Sequence, residues 1–103
     1  MSAITLPATT DAVAAEMIAA VRNCFPVDSI DSATEGIINL QVDPYGDRLV
    51  KVEASFGTAT ISLIHPELGS VAWASHTYRE GEADRLTDAV FAFLKGVFNY
   101  GWM

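Results

Sequence analysis

The chain has 103 residues, 50% of them hydrophobic, and a formal net charge of −7 at pH 7. This apolar content excludes a disordered chain, and the length predicts one domain over residues 1–103, with residues 1–8 as a short tail. The 6 basic residues do not cluster, which disfavours direct nucleic-acid binding. The acidic balance disfavours an anionic membrane surface for the same reason.

The sequence also predicts a cytoplasmic protein. Its single cysteine, Cys24, cannot form an intramolecular disulfide, as is usual in a reducing compartment. No positively charged, apolar leader begins the sequence, and no apolar run reaches the ~20 residues that cross a bilayer.

A first helix is predicted over residues 10–24. Met17, Val21 and Cys24 recur at helical spacing among alanines, and Pro26 ends the pattern. Cys24 is therefore expected to be a small core residue. The polar segment 26–35 that follows is predicted to be a surface connection without regular structure.

Four strands are then predicted, because apolar and polar residues alternate. In the first of them, Ile38 and Leu40 alternate with Asn39 and Gln41, which is typical of a half-buried strand. The predicted strands are residues 37–42, 48–56, 59–64 and 70–78, with turns between them.

A second helix follows, with Glu82 and Asp84 in its first turn, where the helix dipole favours negative charge. Gly96 lowers helix propensity by about 1 kcal/mol relative to alanine, which favours an end or a bend at that position. Gly101 is the alternative stop at the C-terminal end of this helix. One broad apolar stripe marks this helix: Leu86, Val90, Phe93, Leu94 and Val97.

The predicted fold is α+β: a two-layer sandwich in the order α-β-β-β-β-α. Short connections between successive strands predict an antiparallel meander sheet. Because only one face of the first three strands is apolar, we expect the two helices to cover that face. The polar second face is expected to meet solvent, although a polar sheet face can also bind a partner.

The aromatic residues near the C-terminus suggest an interaction surface. Phe91 and Phe98 lie seven residues apart, so they share a helix face that is rotated from the main stripe. Together with Tyr100 and Trp102 they are predicted to form an exposed patch of the kind that marks interfaces. The alternative is that the alanine-rich first helix packs closely enough to bury both faces.

The acidic residues of the loops suggest a second feature of that interface. Folding could gather five of them at one end of the molecule and steer a basic partner towards it. The alternative is an ordinary solvated surface that keeps the protein soluble. The five residues are Asp28, Asp31, Glu35, Asp43 and Asp47.

No motif predicts a catalytic, metal or cofactor site. The chain lacks the spacings of zinc, EF-hand, P-loop and dinucleotide sites. The polar run that contains His76, Tyr78 and Arg79 is the one candidate for a ligand pocket or a catalytic site.

Three functions remain open at this point. The first is a non-enzymatic protein–protein interaction module for a partner with a basic surface, in one version a stoichiometric inhibitor of a nucleic-acid-handling complex, encoded by a mobile element. The second is a small dimeric ligand-binding or catalytic domain with a pocket near His76. The third is a structural protein that self-associates as a homodimer through the second helix.

Overall fold

The computed structural model describes residues 12–43 and 46–99, so the predicted tail of residues 1–8 lies outside the described part. In chain order the regular elements are α1 (Ala12–Asn23), a 3-10 turn (Val27–Ser29), β1 (Ile30–Ala33), β2 (Ile37–Leu40), β3 (Leu49–Ser55), β4 (Thr58–His65), β5 (Gly69–Thr77) and α2 (Ala83–Asn99).

The five strands form one antiparallel meander in the order β1-β2-β3-β4-β5. The helices α1 and α2 pack against each other and over the same face of this sheet, with α1 over β2 and β3 and α2 over β4. The predicted α+β architecture is therefore confirmed.

The sequence pattern did not predict the strand β1. The segment 26–35 was expected to lack regular structure, but Ile30 pairs with Leu40 and Ala33 with Ile38. With only four residues, two of them polar, β1 carries too little alternation to be recognised. Its pairing with β2 stabilises it, so the strand is a product of tertiary context.

The core lies between the helices and the inner face of the sheet. Residues at alternate positions of β2, β3 and β4 point inwards, as the two-residue period of a strand requires. Met17 and Val21 of α1 and Leu86 and Val90 of α2 meet them. The inward strand residues are Ile38, Leu40, Val50, Val52, Ala54, Ala59, Ile61 and Leu63.

The turn between β3 and β4 has an unusual residue in it. Phe56 and Gly57 have φ angles of 48° and 84°, the pair of positive values that defines a type I′ hairpin turn. Glycine adopts this conformation freely, whereas a bulky residue such as Phe56 rarely does. A Cβ atom on Gly57 would also lie 3.2 Å from the carbonyl oxygen of Tyr78.

The structure contradicts a helix end at Gly96 and a buried Cys24. α2 continues through Gly96 to Asn99, because packing of Phe93 and Val97 against the core offsets the low propensity of glycine. Cys24 is exposed rather than buried. α1 ends at Asn23 and the chain turns there, so the side chain of Cys24 leaves the apolar stripe.

Within the described ranges, no helix combines the length and the apolar character that crossing a bilayer requires.

Candidate functional site

The predicted aromatic patch on α2 is divided in the structure. Phe91 is 45% exposed, whereas Phe98 is only 5% exposed and belongs to the core. The expectation that both rings are exposed was therefore wrong for Phe98. Tyr100, Trp102 and the alternative helix stop Gly101 lie outside the described residues.

Phe98 is covered by an ion pair at the start of β3. The guanidinium carbon of Arg48 lies 5.4 Å from the centre of the Phe98 ring. Arg48 donates two hydrogen bonds to the carboxylate of Asp43, at 2.7 and 3.2 Å, and this interaction raises the pKa of Arg48 above its ordinary value. The Asp43 side chain is 1% exposed, so it stabilises the fold and does not present its charge to a partner.

Phe91 belongs to an apolar surface at the β1 edge of the sheet. Its ring stacks on Phe25, with the ring centres 5.1 Å apart and the planes inclined by 19°. Val27, two residues after Phe25, is 83% exposed. We call the surface formed by Phe25, Val27 and Phe91 the β1 corner.

An open cleft of about 510 Å³ adjoins the β1 corner. The lining residues are Arg22, Asn23, Phe25, Val27, Ile30 and Ala33.

The local sequence explains why Val27 is held outwards. Pro26 adopts an extended conformation (φ −61°, ψ 149°) and separates α1 from the 3-10 turn. The turn is fixed at both ends, because Ser29 N–H donates to the Pro26 carbonyl at 2.9 Å and the Ser29 carbonyl accepts from Gln41 N–H at 2.7 Å. Val27 is therefore held at the surface by the hydrogen bonds of the turn that contains it.

Four of the five acidic loop residues lie at one end of the sheet. Asp28 and Asp31 are exposed beside the β1 corner, directly after Val27 and Ile30. Because Ile30 pairs with Leu40, this segment lies beside the end of β2, from which the connection with Asp43 and Asp47 starts. Glu35 lies at the opposite end of β1, in the turn where the Gly36 carbonyl accepts from Ala54 N–H. The expectation that all five gather at one end was therefore wrong for Glu35.

Asp47 lies in a separate open cleft of about 680 Å³, between the β2–β3 and β4–β5 connections. Asp43, Arg48 and Glu67 also line this cleft. His65 lines it too, and its Nδ1 accepts hydrogen bonds from the N–H groups of Glu67 and Leu68, at 3.1 and 3.2 Å. In the described part of the chain, no group of three or more potential ligands could hold a metal ion.

The three residues of the predicted ligand pocket differ in their surroundings. Tyr78 is buried, and burial raises the pKa of its hydroxyl. His76 is exposed with its ring centre 6.0 Å from that of Tyr78, and Arg79 is exposed in the following turn. Arg85 of α2, rather than Arg79, lies 6.0 Å from the centre of the Tyr78 ring. The ligand-binding alternative gains no support from this arrangement.

A second exposed apolar surface lies on β5 and was not predicted. Trp73 is 68% exposed, and Leu68 and Val71 are exposed close to it in the chain. The sequence contained a signal for this surface, because strand alternation places Trp73 on the opposite face from Ala72 and Ala74, away from the helices. Trp73 pairs across the strands with Ser62, which itself pairs with Lys51.

Comparison of the chain with protein-family models, curated proteins and solved structures finds no match. The function must therefore be inferred from the surfaces described above.

Proposed function

We propose that this protein is a protein–protein interaction module that docks a partner with a basic surface at the β1 corner. The observation that carries the proposal is the stacked pair of Phe25 and Phe91 at the surface, next to the outward-held Val27. Aromatic side chains in a well-packed patch supply most of the free energy of many interfaces.

The charges around the β1 corner support a basic partner. Residues 23–47 contain no Lys or Arg, and Asp28 and Asp31 are exposed beside the apolar residues. Arg22 lies on the helix side of the cleft, so the negative charge is concentrated on the strand side. Such an arrangement accelerates association with a basic partner, and the acceleration falls as salt is added.

A concrete form of this function is stoichiometric inhibition of a basic nucleic-acid-handling complex in the cytoplasm. A surface that holds phosphates is rich in Lys and Arg, and it offers the charge that complements Asp28 and Asp31. One bound module would then compete with nucleic acid for that surface. The lone free thiol of Cys24 is compatible with the reducing cytoplasm.

Site-specific photocrosslinking in the cells that express the protein tests the proposal. A benzophenone amino acid replaces Val27 in one variant and Glu80, an exposed polar residue in the turn before α2, in the control variant. We expect a crosslinked protein from position 27 that is absent from position 80. Mass spectrometry then identifies it, and it should have a basic surface.

Two further variants sharpen this experiment. Asp28→Asn combined with Asp31→Asn should lower the association rate with the identified partner and weaken its salt dependence. Glu35→Gln combined with Glu80→Gln removes the same two charges at exposed positions away from the β1 corner; it is the matched control and should leave the rate nearly unchanged. Equal crosslinking from positions 27 and 80, or an association rate that does not change when Asp28 and Asp31 are neutralised, would contradict the proposal.

A further inference from the structure

The outer edge of β5 has no strand beside it among the described residues. β5 is the last strand in the sheet order, and it spans nine residues from Gly69 to Thr77. An edge strand of this length presents a row of unpaired N–H and C=O groups, which is a template for pairing with another strand.

The backbone hydrogen bonds show which residues of β5 face that edge. Tyr78 N–H donates to the carbonyl of Gly57 at 2.6 Å, so this pair is hydrogen-bonded. Because hydrogen-bonded pairs alternate along an antiparallel ladder, His76, Ala74 and Ala72 also direct their backbone groups towards β4. The backbone groups of Trp73, Ser75 and Thr77 therefore point to the open edge.

The edge also lacks most of the features that normally prevent association. Residues 68–78 contain no Asp, Glu, Lys, Arg or Pro, although the chain carries a net charge of −7. Protein edges are commonly protected by charged side chains or proline, and β5 has neither. The one protective feature is an irregularity in the pairing with β4 between Ser70 and Ala72, which leaves the stretch from Ala72 to Thr77 regular.

We propose that β5 pairs with β5 of a second copy of this chain, so that two five-stranded sheets join into one. A second copy is the occupant that the sequence of β5 favours. The net charge of −7 on each copy opposes association, but β5 itself carries no charge, so the repulsion is weakest where the two strands meet. Antiparallel pairing of β5 with itself also sets each edge-facing residue opposite an uncharged residue of the second copy. A basic partner, in contrast, would be attracted to the acidic surfaces elsewhere. This dimer is independent of docking at the β1 corner, on the opposite edge of the sheet.

The regular stretch fixes the register of the pair. Ser75 is the middle of the three residues that face the edge, so a two-fold axis at Ser75 pairs it with Ser75 of the second copy. Trp73 then lies opposite Thr77 of the second copy, on the face away from the helices. Aromatic and β-branched residues are favourable cross-strand partners. An axis at Trp73 would instead carry the pairing through the irregularity between Ser70 and Ala72.

Sizing chromatography with light scattering over a range of protein concentrations tests the dimer. We expect a reversible dimer in the wild-type protein. Ser75→Lys should raise its dissociation constant by roughly tenfold or more, because two like charges would then meet at the axis. Ser55→Lys is the matched control: it is exposed on the same sheet face and adds the same charge, but it lies on β3 and should leave the dimer unchanged.

Disulfide trapping tests the register. Ser75→Cys in a Cys24→Ser background places two thiols at the axis, where Cα atoms of a hydrogen-bonded pair are about 5.5 Å apart, within the range that a disulfide spans. We expect a covalent dimer on mild oxidation, and none from Ser55→Cys in the same background.

A wild-type monomer at every concentration would overturn the proposal, and so would a dimer that Ser75→Lys does not weaken. Circular dichroism confirms that each variant is folded. Val27→Ser should leave the dimer intact, so failure at the β5 edge and failure at the β1 corner can be told apart.

Discussion

The two edges of the sheet show how similar backbone geometry can lead to different surfaces. β1 has four residues, includes Asp31, and lies beside the stacked rings of Phe25 and Phe91. β5 has nine residues and no charge, and its edge is bare among the described residues. An edge that is short and charged discourages strand pairing and leaves side chains to bind a partner. A long neutral edge instead leaves its backbone N–H and C=O groups available to pair with another strand.

The largest expected effect on stability comes from the difference between a buried residue of β4 and an exposed residue of β5. Ile61 of β4 is fully buried, and Ile61→Ala should lower the free energy of unfolding by about 2–5 kcal/mol, because it leaves a cavity. Trp73→Ala, its control on β5, should change stability by less than about 0.5 kcal/mol at protein concentrations where the chain is monomeric. Urea unfolding measures both variants, and equal losses would show that the Trp73 ring is packed against the protein.

The ion pair between β2 and β3 gives the next effect. Asp43→Asn removes the charge that accepts two hydrogen bonds from Arg48, and it should cost roughly 2–3 kcal/mol of unfolding free energy. Asp47→Asn, at an exposed position in the same connection, should have almost no effect. If both variants unfold at the same urea concentration, Asp43 is not the structural residue that its burial indicates.

The turn between β3 and β4 gives a smaller effect. Gly57→Ala places a Cβ 3.2 Å from the Tyr78 carbonyl at a positive φ, and should cost about 1–2 kcal/mol. The neighbouring variant Phe56→Asn should be neutral or slightly stabilising, because asparagine tolerates this backbone conformation better. Thermal unfolding compares the two, and a stable Gly57→Ala variant would argue against the I′ turn.

The smallest effect is a pH dependence at the start of α2. Hydrogen bonding from Arg79 N–H, followed by Arg85, lowers the pKa of the Glu82 carboxyl below its ordinary value of 4.5. A lowered folded-state pKa stabilises the fold above the ordinary pKa, and this contribution disappears as the pH falls through the folded-state value. Unfolding midpoints should therefore fall less steeply below pH 4.5 in Glu82→Gln than in the wild type. Unfolding midpoints that fall equally with pH in the two proteins would contradict a stabilising role for the Glu82 charge.

Periodicity in the sequence was sufficient for most of the architecture. The stripes of α1 and α2 and the alternation of the later four strands predicted six elements and an antiparallel meander, because each element shows its buried side through a regular spacing. β1 could not be found this way, since four residues contain barely one period of alternation and its pairing with β2 supplies the stability.

The candidate site depended more strongly on the tertiary structure. The sequence showed that Phe91 and Phe98 share a helix face, but the path of α1 and the position of Arg48 decided which ring is exposed. It also listed the acidic loop residues, whereas the sheet separated Glu35 from Asp28 and buried Asp43. The sequence by itself thus determined composition, charge and element type, which depend on local spacing. Exposure and charge clustering depend on contacts between distant segments, and only the folded chain decides them.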